Sequence, residues 1–157
     1  MEPKDYMIHD DTQIKGFFDC YRWLSNFHLC QVHYQGAIYP SSEHAYQAAK
    51  YPKDQREPFY YGPDSLSPVK CKKLGSAALI NVDCWNAKRY DVMQRVVFDK
   101  FKRNLDLRCQ LMGTGDKYLE ETNHWGDCYW GVCAGVGDNR LGKILMATRA
   151  YWVTLGE

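Results

Sequence analysis

No run of apolar residues in this 157-residue chain approaches the roughly 20 needed to cross a bilayer, and no secretory signal precedes the first cysteine, so a soluble, cytoplasmic protein is expected. A surplus of charge is missing too. Lys and Arg total 20 against 19 acids, a net charge of +1, which argues against a protein whose main business is coating phosphate backbones; any nucleic-acid contact must be local. Cysteine pairing signals are also absent. The seven cysteines (Cys20, Cys30, Cys71, Cys84, Cys109, Cys128, Cys133) are odd in number and contain no C-x-x-C, so reduced thiols are expected. Neither Cys30-x-x-His33 nor Cys128 with Cys133 has the spacing of a structural zinc site, and no metal or cofactor is expected. The chain is long enough to bury a core without staples. It is rich in rings, with five Trp and twelve Tyr, a stock that suits either base stacking or a ring-filled core.

The densest chemistry lies in Tyr39-Pro40-Ser41-Ser42-Glu43-His44-Ala45-Tyr46-Gln47-Ala48-Ala49-Lys50. Proline followed by two serines starts a helix, because a Ser hydroxyl accepts from free first-turn N–H groups, and the alanines continue it from near Ser42. At about 100° per residue, Glu43, Gln47 and Lys50 fall within roughly 60° of one another, opposite Ala45, Ala48 and Ala49. Such a stripe is ordinarily the solvated side of a helix. Here His44, Tyr46 and Tyr51 flank it, placing rings beside ionisable groups as a pocket for a planar ligand would.

Along the chain, residues 1–15 are polar and predict a loose arm. Gly16 to Phe27 reads as a short strand entering an aromatic-rich loop, and Leu29–Tyr34 with Ala37–Tyr39 reads as a hairpin turning at Gln35-Gly36. Four of the six prolines fall between Tyr51 and Pro68, an irregular connection. Ser67-Pro68 starts a helix to about Leu79 that carries the basic run Lys70, Lys72, Lys73, usually a solvated face. Asp83 is read as the cap of a long helix, Trp85 to Asn104, whose Val92, Met93, Val96, Val97, Phe98 and Phe101 recur at helical spacing. Asp106–Met112 predicts a further short helix and Tyr118–Thr122 a strand.

A second informative stretch runs from His124-Trp125-Gly126-Asp127 through Trp130-Gly131 to Gly137-Asp138-Asn139-Arg140-Leu141-Gly142-Lys143, a Gly-rich loop opening onto a helix. Backbone N–H groups at such a junction, beside Arg140 and Lys143, suit an anion. Gly137 to Lys143 spells G-x-x-x-x-G-K, but Ile144 stands where a P-loop needs a magnesium-binding hydroxyl, which excludes a nucleotide triphosphatase.

Together these stretches resemble the NADAR, or YbiA-like, family from Gly16 to Tyr151. The ordered matches are Trp23-Leu24-Ser25-Asn26-Phe27, Ser42 to Lys50, Leu74-Gly75, Trp85 with Arg89 and Met93, Thr114-Gly115-Asp116, Trp130-Gly131 and Gly137 to Lys143. The resemblance implies a single compact, predominantly helical α+β domain over residues 16–157, with a small antiparallel β component. No second domain is read from the sequence, so a free-standing copy is expected. The implied activity is hydrolysis of N-glycosidic bonds between ribose and a base. Two substrate classes go with the family: ADP-ribose attached to guanine in nucleic acid, in an antitoxin or repair role, and ribosylated pyrimidine intermediates of riboflavin synthesis.

By position, the resemblance makes Glu43 the carboxylate that activates water or passes a proton to the departing base, at a C1 of oxocarbenium character. Lys50 is the second catalytic candidate: where ribose hangs from an exocyclic amine, an unprotonated lysine can exchange with that amine to give a Schiff base, although binding phosphate or orienting Glu43 remains open. Trp23, Asn26, His44, Gln47, Trp85, Trp125, Asp127, Trp130, Gly131, Asn139, Arg140 and Lys143 are the candidates for binding substrate. ADP-ribosylated nucleic acid or a ribosylated base is the expected partner, and no membrane is. A non-catalytic ADP-ribose or NAD reader is the alternative from another class.

Overall fold

Short polar side chains set the helix starts in the computed structural model, which describes Glu2 and residues 6–156. Within 26–105, Ser41 Oγ accepts from His44 N at 3.1 Å and begins α1 (Ser42–Ala48). Ser67 Oγ accepts from Lys70 N at 3.3 Å ahead of α2 (Pro68–Ser76), whose first residue is a proline with no N–H to satisfy. Asn81, not Asp83, caps α3 (Val82–Arg103), its Oδ1 accepting from Cys84 N at 3.0 Å. Asp83 instead lies in the first turn, where a carboxylate favours the positive end of the helix dipole.

Two units are distinguished along the chain. In the unit formed by Asn26–Leu105, α1 packs against α2, α3 and the hairpin of β1 (Val32–Tyr34) and β2 (Ala37–Tyr39). The hairpin turns through Gln35 and Gly36, both at positive φ (49° and 86°), as a tight turn matching the strand twist requires. It is tied to α3 by Asp99, whose carboxylate accepts from His33 N at 2.7 Å and holds Arg103 through two bonds of 2.8 and 3.0 Å. Val92, Met93, Val96, Val97 and Phe101 form the buried stripe of α3, with Phe98 at its half-buried edge.

The other unit joins the residues up to Ser25 to those from Asp106 onward. Here the expectation of a loose arm and of a strand from Gly16 fails. Asp10 Oδ1 accepts from Thr12 N and Gln13 N at 2.8 and 3.0 Å, and this side-chain turn lets β3 (Ile8–His9) pair antiparallel with β4 (Gln13–Lys15). Asp19 at φ 50° breaks extension, and Asp19–Leu24 winds as a 3-10 helix that buries Trp23 and Leu24. Residues 1 and 3–5 of the expected arm lie outside the described residues. The predicted strand at Tyr118–Thr122 divides: β5 (Tyr118–Glu120) pairs with β4, and β6 (Thr122–Asn123) pairs with β7 (Val132–Cys133). Both of these pairings are parallel, so the expected antiparallel component holds for two hairpins and not for these pairs. Two helices complete the unit, α4 (Leu105–Gly113) and α5 (Arg140–Leu155), and α5 packs on β5. Gly142 permits that contact, since a methyl there would overlap Leu119 O. The α+β class, predominantly helical, stands as expected.

Phe101 is 0% exposed, so Phe101→Ala should lower unfolding free energy by about 3–5 kcal/mol through lost burial and a residual cavity. Leu79→Ser, at a position that is 102% exposed, should leave the urea midpoint unchanged.

Candidate functional site on the first helix

The polar stripe of α1 is not a solvated face. Glu43 is 6% exposed and Gln47 4%, and Gln47 Nε2 donates to Glu43 Oε1 at 2.8 Å. Their burial follows from Gly75 on α2. A methyl there would overlap the Gln47 amide and lie 2.8 Å from Gln47 Cβ, so only a glycine lets the two helices meet along this line. Cys71, one turn earlier on the same face of α2, is fully buried, and burial first and the Glu43 charge second push its thiol far above the ordinary value. The neighbour it presents to the carboxylate is therefore a neutral thiol.

Lys50 lies just past the end of α1. Its Nζ donates to Gly75 O at 3.4 Å, and beside it Tyr51 Oη donates to Leu74 O at 2.8 Å, so both side chains meet carbonyls at the negative end of α2. The ammonium stands 5.8 Å from the Tyr46 ring and 5.7 Å from the Trp85 ring, two buried rings 5.2 Å apart. Burial lowers the pKa of Lys50, the nearby Glu43 charge opposes that shift and Lys72 adds to it. The neutral amine is thus more accessible than for an ordinary lysine. A buried carboxylate beside an amine of depressed basicity is suited to proton exchange and to nucleophilic attack on an electrophilic carbon.

Asn26 anchors this arrangement. Its backbone carbonyl accepts from Glu43 N at 3.1 Å, its Oδ1 accepts from Ser42 Oγ at 2.9 Å and its Nδ2 reaches Met93 Sδ at 3.4 Å. The structure therefore brings Asn26, Glu43, Gln47, Lys50 and Trp85 together in one unit. His44 is spent on structure: Ser41 Oγ stands 2.6 Å from Nδ1, and Nε2 donates to Leu66 O at 2.7 Å. Burial lowers its pKa, favouring the neutral ring that this pattern needs.

The remaining candidates belong to the other unit. Asp127 Oδ1 accepts from Tyr129 N and Trp130 N at 3.1 and 2.9 Å, shaping the loop. Asn139, at φ 49°, accepts from Glu121 N at 3.0 Å and donates to Leu119 O at 2.9 Å, so its amide ties α5 to the strands. Gly131 admits Glu121 O where a side chain would collide. Arg140 is held by Asp138 at 3.1 Å and stacks 4.1 Å from the Tyr129 ring, and Lys143 is exposed. Trp23 is buried, Trp130 half-buried against Tyr129, and Trp125 is 47% exposed beside His124 and Phe18. Each of the seven cysteines is a free thiol, and no group of three His, Cys, Asp or Glu among the described residues is placed to hold a metal.

Sequence reasoning gave no role to Cys71 or Gly75, although a glycine inside a helix, which costs about 0.5–1 kcal/mol relative to alanine, signals a close approach. Gly75→Ala should lose about 1–3 kcal/mol in urea unfolding despite its better helix propensity, because Gln47 and its helix must shift.

The NADAR domain model matches residues 12–151. N-glycosidase YbiA of Escherichia coli K12 is 31% identical over 147 residues, covering 90% of this chain and 89% of that protein. An N-glycosidase of Nostoc punctiforme is 34% identical, covering 82% and 84%. A riboflavin biosynthesis protein of Vibrio vulnificus is 35% identical over 81% of this chain, which spans only 34% of that protein's length. The NMR structure of E. coli YbiA superposes with a TM-score of 0.79 at 28% identity, covering 98% of this chain and 92% of that one. With a model that matches residues 12–151 and relatives aligned over 82% and 90% of its length, the chain belongs to the NADAR domain family.

Proposed function

We propose that this NADAR domain removes ADP-ribose from ADP-ribosylated guanine bases in nucleic acid, in an antitoxin-like or repair role. The coarser activity is that of its relatives: the chain is an N-glycosidase, a hydrolase of N-glycosyl bonds. The observation that carries the finer reading is the pairing of buried Glu43 with Lys50, an amine whose protonation burial disfavours. Ribose joined to guanine through its exocyclic amine can open to an imine. The neutral Lys50 amine then adds to C1, the C1–N bond to guanine breaks with transfer of a proton to the departing amine, and a Lys50 imine remains. Glu43 serves as the proton carrier in that exchange and activates the water that hydrolyses the imine, which frees the sugar aldehyde to close and returns Lys50 to the amine. Asn26 holds the helix start that aims Glu43, and Gln47 fixes one carboxylate oxygen so that the other can face the reacting centre.

A second reading keeps the chemistry and changes the substrate to the ribosylaminopyrimidine phosphates of riboflavin synthesis. It is favoured by the likeness to proteins named for riboflavin biosynthesis in Vibrio vulnificus and Zea mays. A non-catalytic reader of ADP-ribose would have no use for the buried carboxylate and amine. No helix among the described residues is long and apolar enough to cross a membrane.

Incubated with a guanine-ADP-ribosylated oligonucleotide, the wild-type protein should release free ADP-ribose, whereas Glu43→Gln, which can still accept from Gln47, should bind and release none. A borohydride quench should leave a reduced sugar adduct on Lys50. Release without any adduct would reduce Lys50 to an orienting role. No release from wild type, with turnover of a ribosylaminopyrimidine phosphate, would move the assignment to the second reading.

A further inference from the structure

Lys50 and Tyr51 follow the end of α1 and reach the last turn of α2 at two consecutive carbonyls. Tyr51 Oη donates to Leu74 O at 2.8 Å, while Lys50 Nζ donates to Gly75 O at 3.4 Å. Each carbonyl also accepts a backbone N–H, Leu74 O from Ala77 N at 3.1 Å and Gly75 O from Ala78 N at 3.3 Å. A carbonyl oxygen has two lone pairs, so the phenol fills the second acceptor position of Leu74 O. The ammonium is left with the weaker contact. Charge-assisted hydrogen bonds are normally about 2.7–2.9 Å long, and the bond of 3.4 Å to Gly75 O is the single hydrogen bond of Lys50 Nζ among the described residues. Tyr51, in contrast, is fastened on every side. Its N–H donates to Ala48 O at 2.9 Å, its carbonyl accepts from Arg56 Nε at 2.8 Å, and its ring lies 5.4 Å from that of the buried Phe59. Arg56 is itself buried, and its Nη1 donates to Gln35 Oε1 at 2.7 Å, which ties Tyr51 to the turn of the hairpin.

We propose that Tyr51 is a positioning residue for the reaction: its hydroxyl occupies Leu74 O and so denies Lys50 the second carbonyl of the helix end, leaving the amine loosely held and able to turn toward a substrate carbon. The inference rests on the reading above, in which Lys50 acts as a neutral nucleophile. Without the hydroxyl, Lys50 Nζ gains a second acceptor at the negative end of α2, where the hydrogen bond and the helix dipole both favour the ammonium. A bond made to the charged form raises the pKa of a lysine, so the neutral fraction falls at every pH below that value. The other influences on Lys50 stay as they are. They are burial, which lowers its pKa, Glu43 on its own helix and Cys71 on α2, which raise it, and Lys72 on α2, which lowers it. On α3, Lys88 stands 5.7 Å from the same Trp85 ring that Lys50 approaches.

Nuclear magnetic resonance of protein carrying 13C- and 15N-labelled lysine follows the titration of Lys50 Nζ without any glycosidase assay, with Lys50→Arg identifying its signal. Tyr51→Phe, which keeps the ring against Phe59, should raise the Lys50 pKa enough to cut the neutral fraction about tenfold, the size expected for one added bond from a charged donor. Tyr51→Met, a second variant without the hydroxyl, should titrate alike. Tyr61→Phe, which removes a hydroxyl from an exposed ring, should titrate as wild type does. In turnover, Tyr51→Phe should lose about tenfold in kcat below the Lys50 pKa and regain the wild-type rate above it, a displaced pH profile that a general loss of packing would not give. Lys50 that titrates as in wild type, or at lower pH, in both hydroxyl-free variants would overturn the role of Tyr51. A raised Lys50 pKa with an unmoved pH profile would uphold the effect of Tyr51 on Lys50 and overturn the nucleophilic role given to Lys50 above.

Discussion

The contact between Gly75 and Gln47 is the constraint on which the site depends. Because α2 lacks a side chain at that point, α1 lies close enough for Gln47 and Glu43 to leave water and for Lys50 to reach the carbonyls ending α2. Each consequence has a cost. A buried carboxylate needs a donor, which Gln47 supplies at 2.8 Å. A half-buried lysine loses hydration and with it part of its affinity for a proton. The packing that disfavours the charged form of Lys50 also keeps Glu43 out of water, an environment that a surface Glu and Lys would lack.

Around that contact, polar side chains divide into those that support and those that remain available. His44 sits on the same helix as Glu43, yet it has both ring nitrogens engaged and serves to fix the helix start. Asn26 positions Glu43 through its backbone and Ser42 through its side chain. In the Gly-rich loop, Asp127 and Asn139 satisfy N–H groups that no regular strand ladder reaches, the accounting that irregular backbone demands.

This division explains what was legible in the sequence. Helix periodicity revealed the stripe of α3 and the angular grouping of Glu43, Gln47 and Lys50, and the Ser-Pro pair revealed the cap at Ser67, because each is a property of a single segment. The burial of that grouping was not legible, since it depends on a glycine about thirty residues away whose importance is the absence of a side chain. The parallel pairing of β4 with β5 was hidden for a similar reason: it joins segments about a hundred residues apart that are too short to carry a pattern of their own. Asn139 and Asp127 looked like ligand residues because a polar side chain in a glycine-rich loop has the same signature whether it faces a phosphate or its own backbone. Asp83 was read as the cap of α3, whereas Asn81, a residue of the same capping type that the sequence reading passed over, holds that place in the structure.

The position of the sugar carbon decides whether Glu43 and Lys50 form a site or part of the core. The most direct measurement is the structure of Glu43→Gln bound to a guanosine carrying ADP-ribose on its exocyclic amine. The anomeric carbon should lie about 3–3.5 Å from the residue-43 side chain, with Lys50 Nζ turned from Gly75 O toward it. A sugar seated elsewhere, with residue 43 still enclosed by Gln47 and Lys50 still on Gly75 O, would show that the buried stripe is core and that the chemistry belongs to another part of the chain.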